Sequence, residues 1–432
     1  MKIVVVGTGY VGLVAGVCFA EIGHMVTCID KEPTKIEMIN SGKSPIYEPN
    51  LEELMIKNCK IGRLTATTDY RHAYKEAEVI FIGVGTPNNE DGSADLSYLE
   101  TALIQIAENV TRDCLVVIKS TVPIGTSDKA EQLIMKHKTY DVIIEVADNP
   151  EFLSQGSAVN DMMNASRIVI GTVSKKSDEI LRSIYEPFHQ PIVSVSRRSA
   201  EMIKYASNCF LAMKLSYINE IANLCEVLGA NIEEVTLGMS FDHRIGNNYL
   251  KAGIGYGGSC LPKDTKALSH MARENHYCMK IVDATISVNE EQKTKLICMA
   301  KKNMVELKNR KVAVLGVTFK PETDDLREAS SLDNIALLLQ EGANLYVYDP
   351  VAEDRLKNIY PTEITYVRSV QEAITDAQIC FIFTEWNQIK EITPSMYKEL
   401  MEIPVIYDGR NIYQPKDMKQ VGVEYYSIGR VN

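Results

Sequence analysis

The first twelve residues, Met-Lys-Ile-Val-Val-Val-Gly-Thr-Gly-Tyr-Val-Gly, leave the backbone few choices. Lys2 to Val6 is a β-branched run suited to a buried strand, and it stops at Gly7. Apolar residues then recur at helical spacing through Val14, Val17, Cys18 and Ile22. A later unit, Glu21 to Asp30, has Gly23 followed seven positions on by Asp30. The whole arrangement recurs far down the chain. Lys311 to Leu315 stops at Gly316, and Gly342 is followed seven positions on by Asp349. Each copy continues to an alanine and an apolar strand, Ala77 to Ile82 and Ala377 to Phe383. Two β-α-β-containing domains are predicted, each a doubly wound, Rossmann-like α/β layer structure on a mostly parallel sheet.

The stretch between the copies reads differently. From Ser199 to about Ala230, the residues Met202, Tyr205, Ala206, Phe210, Met213, Tyr217, Ile221 and Leu224 recur at threes and fours. Further helical zones are predicted from Pro262 to about Glu274 and from about Ile281 to Leu307. The expected boundaries are 1–198, 199–300 and 301–432, with a long helix in the middle part. A length of 432 residues agrees with three domains at roughly 150 residues each. The long helix is apolar on most of its surface, which points to burial, including burial against a second copy of the chain.

Charge and cysteine usage exclude several classes. The net charge of −11 argues against nucleic acid or an anionic membrane as the main partner. Ten cysteines without a C-x-x-C pair fit neither a disulfide scaffold nor a zinc site, and no metal is expected. Reduced thiols suit the cytoplasm. The N-terminal apolar run is too short for a secretory signal, and no stretch of about 18 apolar residues exists to span a membrane.

Gly7-Thr-Gly9-Tyr10-Val11-Gly12 matches G-x-G-x-x-G between a predicted strand and a predicted helix. The first glycine makes the tight turn, the second admits a pyrophosphate to the backbone, and the third packs helix on strand. The helix N-terminus then faces the phosphates. Asp30 ends the next strand. A carboxylate there accepts from a ribose 2′-hydroxyl and repels a 2′-phosphate, so NAD is the expected cofactor. The second copy, Gly316-Val-Thr-Phe-Lys320-Pro, lacks this fingerprint and is expected to bind a different anionic group.

The densest glycine cluster, Gly253-Ile-Gly255-Tyr-Gly257-Gly258-Ser-Cys260-Leu-Pro262-Lys263-Asp264, precedes a predicted helix. Pro262 suits a first helical turn. Cys260 therefore lies just before a helix N-terminus and near Lys263, two features that favour thiolate. Cys18, Cys28, Cys114, Cys209, Cys225, Cys298 and Cys380 read as small core residues by contrast. A thiolate beside an NAD site implies definite chemistry. Hydride transfer makes an aldehyde, the thiolate adds to give a thiohemiacetal, a second hydride transfer gives a thioester, and water releases the acid. Lys204 and Asn208 lie four apart on an otherwise apolar helical face and can hold the alkoxide and the later oxyanion, unless they are merely solvated. Asp264 is placed to orient Lys204 or a water. Glu151, in Asn149-Pro-Glu151-Phe-Leu after an apolar strand, can activate that water, although a loop glutamate is often only solvated.

With these motifs together, the chain resembles the nucleotide-sugar (UDP-glucose/GDP-mannose) dehydrogenases over nearly its whole length. Further shared segments are Gly85-Thr86-Pro87, Lys119-Ser-Thr121-Val-Pro123, Ala200 to Asn208, Arg244-Ile-Gly, Tyr249 to Gly253, Phe319-Lys320-Pro, Asp325-Leu-Arg327 and Asp408-Gly-Arg410-Asn411. The resemblance implies a four-electron, two-NAD oxidation of a sugar C6 hydroxyl. UDP-glucose is the implied substrate, with GDP-mannose or a UDP-N-acetylhexosamine as the alternative. Cys260 is the implied nucleophile, with Lys204, Asn208 and Asp264 around it. Glu151 is the implied hydrolytic base, with Thr121 holding the water. Val11, Asp30, Lys35, Thr86, Thr121, Lys263 and Arg327 match cofactor positions. Glu151, Phe152, Leu153, Lys204, Asn208, Tyr249, Leu250, Lys251, Ala252, Gly253, Gly257 and Lys320 match sugar-nucleotide positions. Arg244 matches a residue that reaches a neighbouring subunit's substrate, which implies at least a homodimer. The three parts then become an NAD-binding domain, a dimer-forming helical domain and a UDP-sugar-binding domain. Lys204, Arg244, Lys251, Lys263, Lys320, Arg327 and Arg410 are expected to form a basic site for two phosphate-bearing ligands. Gln155 stands where the family usually carries glutamate, and Tyr256 where it carries phenylalanine. Two readings compete: a two-electron dehydrogenase, which has no use for Cys260, and a non-catalytic sensor of NAD or UDP-sugar.

Overall fold

A computed structural model describes residues 1–303 and 306–430. The chain divides into two compact units, Met1–Ser207 and Asn208–Asn432. The first holds an eight-stranded sheet. Its strands are β1 (Lys2–Val6), β2 (Met25–Ile29), β3 (Leu64–Thr67), β4 (Val79–Ile82), β5 (Cys114–Ile118), β6 (Ile144–Asp148), β7 (Ile168–Gly171) and β8 (Ile192–Val195). Their order is β3-β2-β1-β4-β5-β6-β7-β8. The first six run parallel, and β7 turns back antiparallel to β6 with β8 alongside it. The strands β1, β4 and β5 are near-continuous apolar runs because helices cover both faces.

The second unit repeats the design. Its strands are β9 (Lys311–Leu315), β10 (Asn344–Tyr348), β11 (Thr365–Tyr366), β12 (Ile379–Ile382), β13 (Val405–Asp408) and β14 (Glu424–Ser427). The order β11-β10-β9-β12-β13-β14 is all parallel. It reproduces the order of the first six strands of the other sheet, the arrangement of dinucleotide-binding domains. Two doubly wound α/β sheets with a helical region between them in sequence are therefore present.

The helical stretch begins with the helix Arg197–Leu228, followed by Ile232–Ser240, Leu261–Glu274, Lys280–Lys293 and Lys295–Lys302. The third helical zone differs from the expected single run to Leu307. It breaks at Thr294, which ends one helix and starts the next, and helix stops at Lys302. Leu307 is buried in the second unit's core without being helical. Residues 208–300 pack with the second sheet: Ile218, Ala222, Cys225, Ile254, Leu296 and Ile297 share one apolar cluster with Val312 and Val314. Compactness thus groups residues that sequence pattern separates at 300. Cys298 is exposed, so its reading as a core thiol is corrected; it lies on the outer side of a short amphipathic helix. Among the described residues no helix is long and apolar enough to cross a membrane.

Candidate functional site

In the first unit, the glycine turn is built as its spacing requires. Gly7 takes φ +93°, and a Cβ on it would lie 2.8 Å from the Gly83 carbonyl. A Cβ on Gly12 would lie 2.0 Å from the Gly7 carbonyl, so the helix could not approach the strand with any side chain there. A Cβ on Gly9 would meet nothing within 4 Å. The turn is thus packed at its first and third glycines and open at its second, the shape a pyrophosphate needs. Tyr10 and Val11 open the helix. Asp30 follows β2 and accepts from the Thr8 amide (2.9 Å) and hydroxyl (2.6 Å), with Lys35 at 3.8 Å. Burial raises its proton affinity, but the Thr8 bonds outweigh this and hold the carboxyl below its ordinary range. An ionised acceptor at this strand end is the feature that discriminates a ribose hydroxyl from a phosphate. Thr86 and Thr121, from the ends of neighbouring strands, meet through the Thr86 hydroxyl donating to the Thr121 carbonyl at 2.8 Å. These residues fit NAD.

The second equivalent turn has become structural. Gly316 takes φ +75°, and Asp349, the counterpart of Asp30, is buried. Its carboxylate accepts from the amides of Val317, Val351 and Ala352. It is consumed in holding the loop and leaves no comparable ribose acceptor.

Glu151 and Lys204 form a buried pair in the first unit. Lys204 donates to Glu151 Oε1 at 2.9 Å, with both side chains at most 4% exposed. The solvated readings of both residues are therefore excluded. Burial alone would raise the Glu151 carboxyl, yet Lys204 pulls it below its usual value. Two cations lie over the Phe152 ring, Arg167 at 3.6 Å and Lys204 at 5.5 Å from its centre. The Leu153 amide closes onto Glu151 Oε2 at 2.5 Å, fixing the carboxylate's second oxygen. Behind this pair stands a cluster that the sequence did not single out. Lys119 donates to Asn149 Oδ1 at 3.0 Å, and the Tyr185 hydroxyl donates to the same oxygen. Burial lowers the Lys119 ammonium to about 8. Its sequence signals were a lysine directly after an apolar strand run and its place in the shared Lys119-Ser-Thr121 segment.

Asp148, at the end of β6, is buried, and its Oδ2 has no hydrogen-bond partner. Burial pushes its carboxyl well above the ordinary range, and Glu201 adds to the shift. The native state then holds a proton that the unfolded chain releases near its ordinary pKa. Stability therefore falls as pH rises from that value through the raised native one, and stays low above it. Asp148→Asn removes this titration. At neutral pH the variant is expected to be the more stable protein, because its neutral amide needs no proton uptake on folding. The gain should shrink toward pH 4. Thermal melts of both proteins across that pH range read it.

In the second unit, Cys260 is the N-cap of the helix Leu261–Glu274, with Pro262 in its first turn. The thiol lies 3.7 Å from the Ser259 hydroxyl and is partly exposed. Asp264, fully buried one turn later, accepts from Asn208 at 2.6 Å and from Lys263 at 2.7 Å. Lys263 thus pairs with Asp264, and Asn208 is buried with it rather than solvated. Tyr249 takes φ +62°, which bends the chain into Leu250-Lys251-Ala252-Gly253. Lys251 points outward, while Leu250, Ala252 and Gly253 are buried. The glycine loop hangs on amides that were not foreseen. Asn219 accepts from the Gly253 amide at 2.8 Å, and Gln292 donates to the Gly253 carbonyl at 2.6 Å. Asn289 bonds both the amide and the carbonyl of Tyr256. Their signal was available: polar amides on helix faces that otherwise face the core, the same pattern that marked Asn208.

The expected basic site is mostly neutralised by its own neighbours. Lys204, Arg244, Lys263, Arg327 and Arg410 pair with Glu151, Asp242, Asp264, Asp325 and Glu385. Arg327 is held in fork geometry by buried Asp325, at 2.8 and 2.7 Å. Arg410 donates from Nε to the Phe383 carbonyl and from Nη2 to the Phe319 carbonyl, with its Nη1 facing the Cβ position of Gly253. Lys320 lies 5.7 Å from the Phe319 ring centre. Arg244 is exposed on the segment after the helix Ile232–Ser240. Among the described residues no group of acidic, His and Cys side chains could hold a metal ion.

Comparison with known proteins gives the family. Three family models of the UDP-glucose/GDP-mannose dehydrogenases match in order: the NAD binding domain over residues 1–189, the central domain over 198–291 and the UDP binding domain over 313–415. The UDP-glucose 6-dehydrogenase YwqF of Bacillus subtilis is 47% identical over 430 residues, covering 100% of this chain and 98% of that one. The structure of a UDP-glucose dehydrogenase from the archaeon Pyrobaculum islandicum superposes with a TM-score of 0.92 at 36% identity, covering 98% of this chain and 96% of that one. That of a UDP-D-ManNAc dehydrogenase from Pyrococcus horikoshii gives 0.88 at 28% identity, covering 100% and 99%. The strand-turn-helix that opens the chain, the aspartate after it and the full-length likeness lead to one conclusion: this chain belongs to the UDP-glucose/GDP-mannose dehydrogenase family and uses NAD.

Proposed function

We propose that the protein oxidises UDP-glucose to UDP-glucuronate in two successive two-electron steps, with Cys260 as covalent nucleophile. Its support is the cysteine at a helix N-cap, at the end of a glycine loop and one turn before the buried Asp264 that binds Asn208 and Lys263. NAD, which the Gly7–Gly12 turn and Asp30 would hold, would supply the hydride acceptor for each oxidation. The Lys204 ammonium stabilises the alkoxide of the first step and the oxyanion of the later adduct, with Asn208 as a second donor. Cys260 sulfur adds to the aldehyde carbon, and oxidation of that thiohemiacetal leaves a thioester. Glu151, kept ionised by Lys204, takes a proton from water as the water attacks the thioester carbon, and the thiol leaves. The sum is alcohol plus water plus two oxidised cofactors giving carboxylate, two reduced cofactors and protons.

Greater likeness to the UDP-glucose enzymes than to the N-acetylmannosamine enzyme favours UDP-glucose. GDP-mannose and UDP-N-acetylhexosamines are the competing substrates. The reading also implies a homodimer. Phe210, Tyr217 and Leu224, seven apart on one helix, are exposed together with Leu228, Leu237 and Phe241, and such a patch suits a second copy of the chain. Arg244 then becomes available to a partner's substrate. Ten cysteines outside any disulfide suit a reducing cytoplasm.

The deciding experiment counts NADH formed per sugar consumed across a panel of nucleotide sugars. Two NADH per UDP-glucose, with no free aldehyde, is expected. One NADH with aldehyde accumulating would sink the four-electron reading, and faster turnover of another sugar would move the substrate assignment.

A further inference from the structure

The cysteine loop is held on two sides. Asn219, Asn289 and Gln292 hold Gly253 to Tyr256, and the Ser330 hydroxyl donates to the Ile254 carbonyl at 2.6 Å. The next two residues rest instead on another stretch of backbone. The Gly258 amide donates to the Arg327 carbonyl at 2.8 Å. A Cβ on Gly257 would lie 2.3 Å from the Glu328 carbonyl oxygen, so the two backbones touch where no side chain fits.

Glu328 itself sits at φ +52°, a left-handed conformation that a non-glycine residue keeps only when its surroundings hold it. Two lysines do so. Its carboxylate accepts from Lys293 at 2.9 Å and from Lys266 at 3.1 Å. Lys293 is buried and also pairs with Glu290 at 3.0 Å. Lys266 lies on the helix that Cys260 caps, and Lys293 ends the helix that carries Asn289 and Gln292. One carboxylate thus ties together the helix after the cysteine, the helix that grips the start of the loop, and the backbone beneath its glycines.

We propose that Glu328 is a positioning residue for the reaction, acting through Lys293 and Lys266 to fix the Gly257–Cys260 backbone and hence the direction of the Cys260 thiol. This rests on the reading of Cys260 as nucleophile. It requires no contact between Glu328 and substrate, so removing the carboxylate should lower turnover and alter thiol reactivity together.

The test measures kcat, KM for both substrates, and the rate of Cys260 alkylation by iodoacetamide, followed by mass spectrometry on the peptide that contains Cys260. Glu328→Ala is expected to lower kcat about tenfold or more and to change the alkylation rate at least threefold. Glu328→Gln keeps an acceptor oxygen and should recover part of both losses; it also serves if the alanine variant does not fold. Glu290→Gln touches the same lysine but not the loop, and should leave both within twofold. The proposal falls if Glu328→Ala stays within twofold in kcat and alkylation, if kcat drops with alkylation unchanged, or if Glu290→Gln matches its effect. If the wild-type protein makes no NADH from any nucleotide sugar, the functional reading fails, and the alkylation rates alone still decide the positioning role.

Discussion

Replacing Cys260 by alanine will lower steady-state NADH formation from UDP-glucose by about a thousandfold or more, while NAD binding stays within twofold of the wild type. The separation is expected because Cys260 belongs to the glycine loop of the second unit, whereas the dinucleotide turn and Asp30 belong to the first. Without the thiol, the aldehyde from the first oxidation has nothing to hold it for the second. Serine at this position keeps a weaker nucleophile of similar shape, so Cys260→Ser should retain a little more turnover than the alanine variant. A complementary trap follows from the same mechanism. Glu151→Gln should complete both hydride transfers once and then stall at the thioester, visible as an acyl adduct on the Cys260 peptide by mass spectrometry. Normal turnover in Cys260→Ala would restore the two-electron reading, in which the cysteine has no task.

The elements that were legible in sequence are those whose signal is local. β1 and β9 begin at Lys2 and Lys311, where the β-branched runs begin, and end immediately before Gly7 and Gly316. Pro262 marked the first turn of the helix that Cys260 caps. What stayed hidden depends on partners far along the chain. Glu151 looks like any loop glutamate until Lys204, 53 positions later, is brought to it. Asp349 copies the position of Asp30, yet four neighbouring amides and burial turn it into a loop anchor, a difference that spacing cannot reveal. Arg410 reads as a ligand cation, and the spacing gives no sign that its Nε and Nη2 donate to the carbonyls of Phe383 and Phe319. The break at Thr294 was missed because apolar periodicity continues through it. Cys298 looked like core for the same reason, since a short helix at the surface keeps apolar residues on its inner face only. Motif spacing identifies the chemistry available; burial decides which of the matching side chains remain free to perform it.

Burial also makes Lys204 a sensitive position in the first unit. Its ammonium and the Glu151 carboxylate are both nearly inaccessible, so neither has water to fall back on. Lys204→Ala leaves a carboxylate buried without its counter-charge. Breaking such a pair from one side typically destabilises by about 3–5 kcal/mol. The loss should depend on pH in a definite direction. In the native protein Glu151 is held below its ordinary value, so its contribution is present at neutral pH and is lost as pH falls through that lowered value. In Lys204→Ala the Leu153 amide and the Lys119 charge still favour the carboxylate, but burial is the largest influence on it, so the carboxyl is expected to rise and the variant to lose stability as pH increases instead. Activity should fall about a thousandfold, because the alkoxide loses its donor and the base takes up a proton. Adding Glu151→Gln to Lys204→Ala separates the two consequences. The double variant is expected to recover most of the stability while remaining inactive, with a coupling energy that only a direct pair produces. Additive losses in the double variant would show that the two groups act on stability independently, and the kept-ionised base would have to be abandoned.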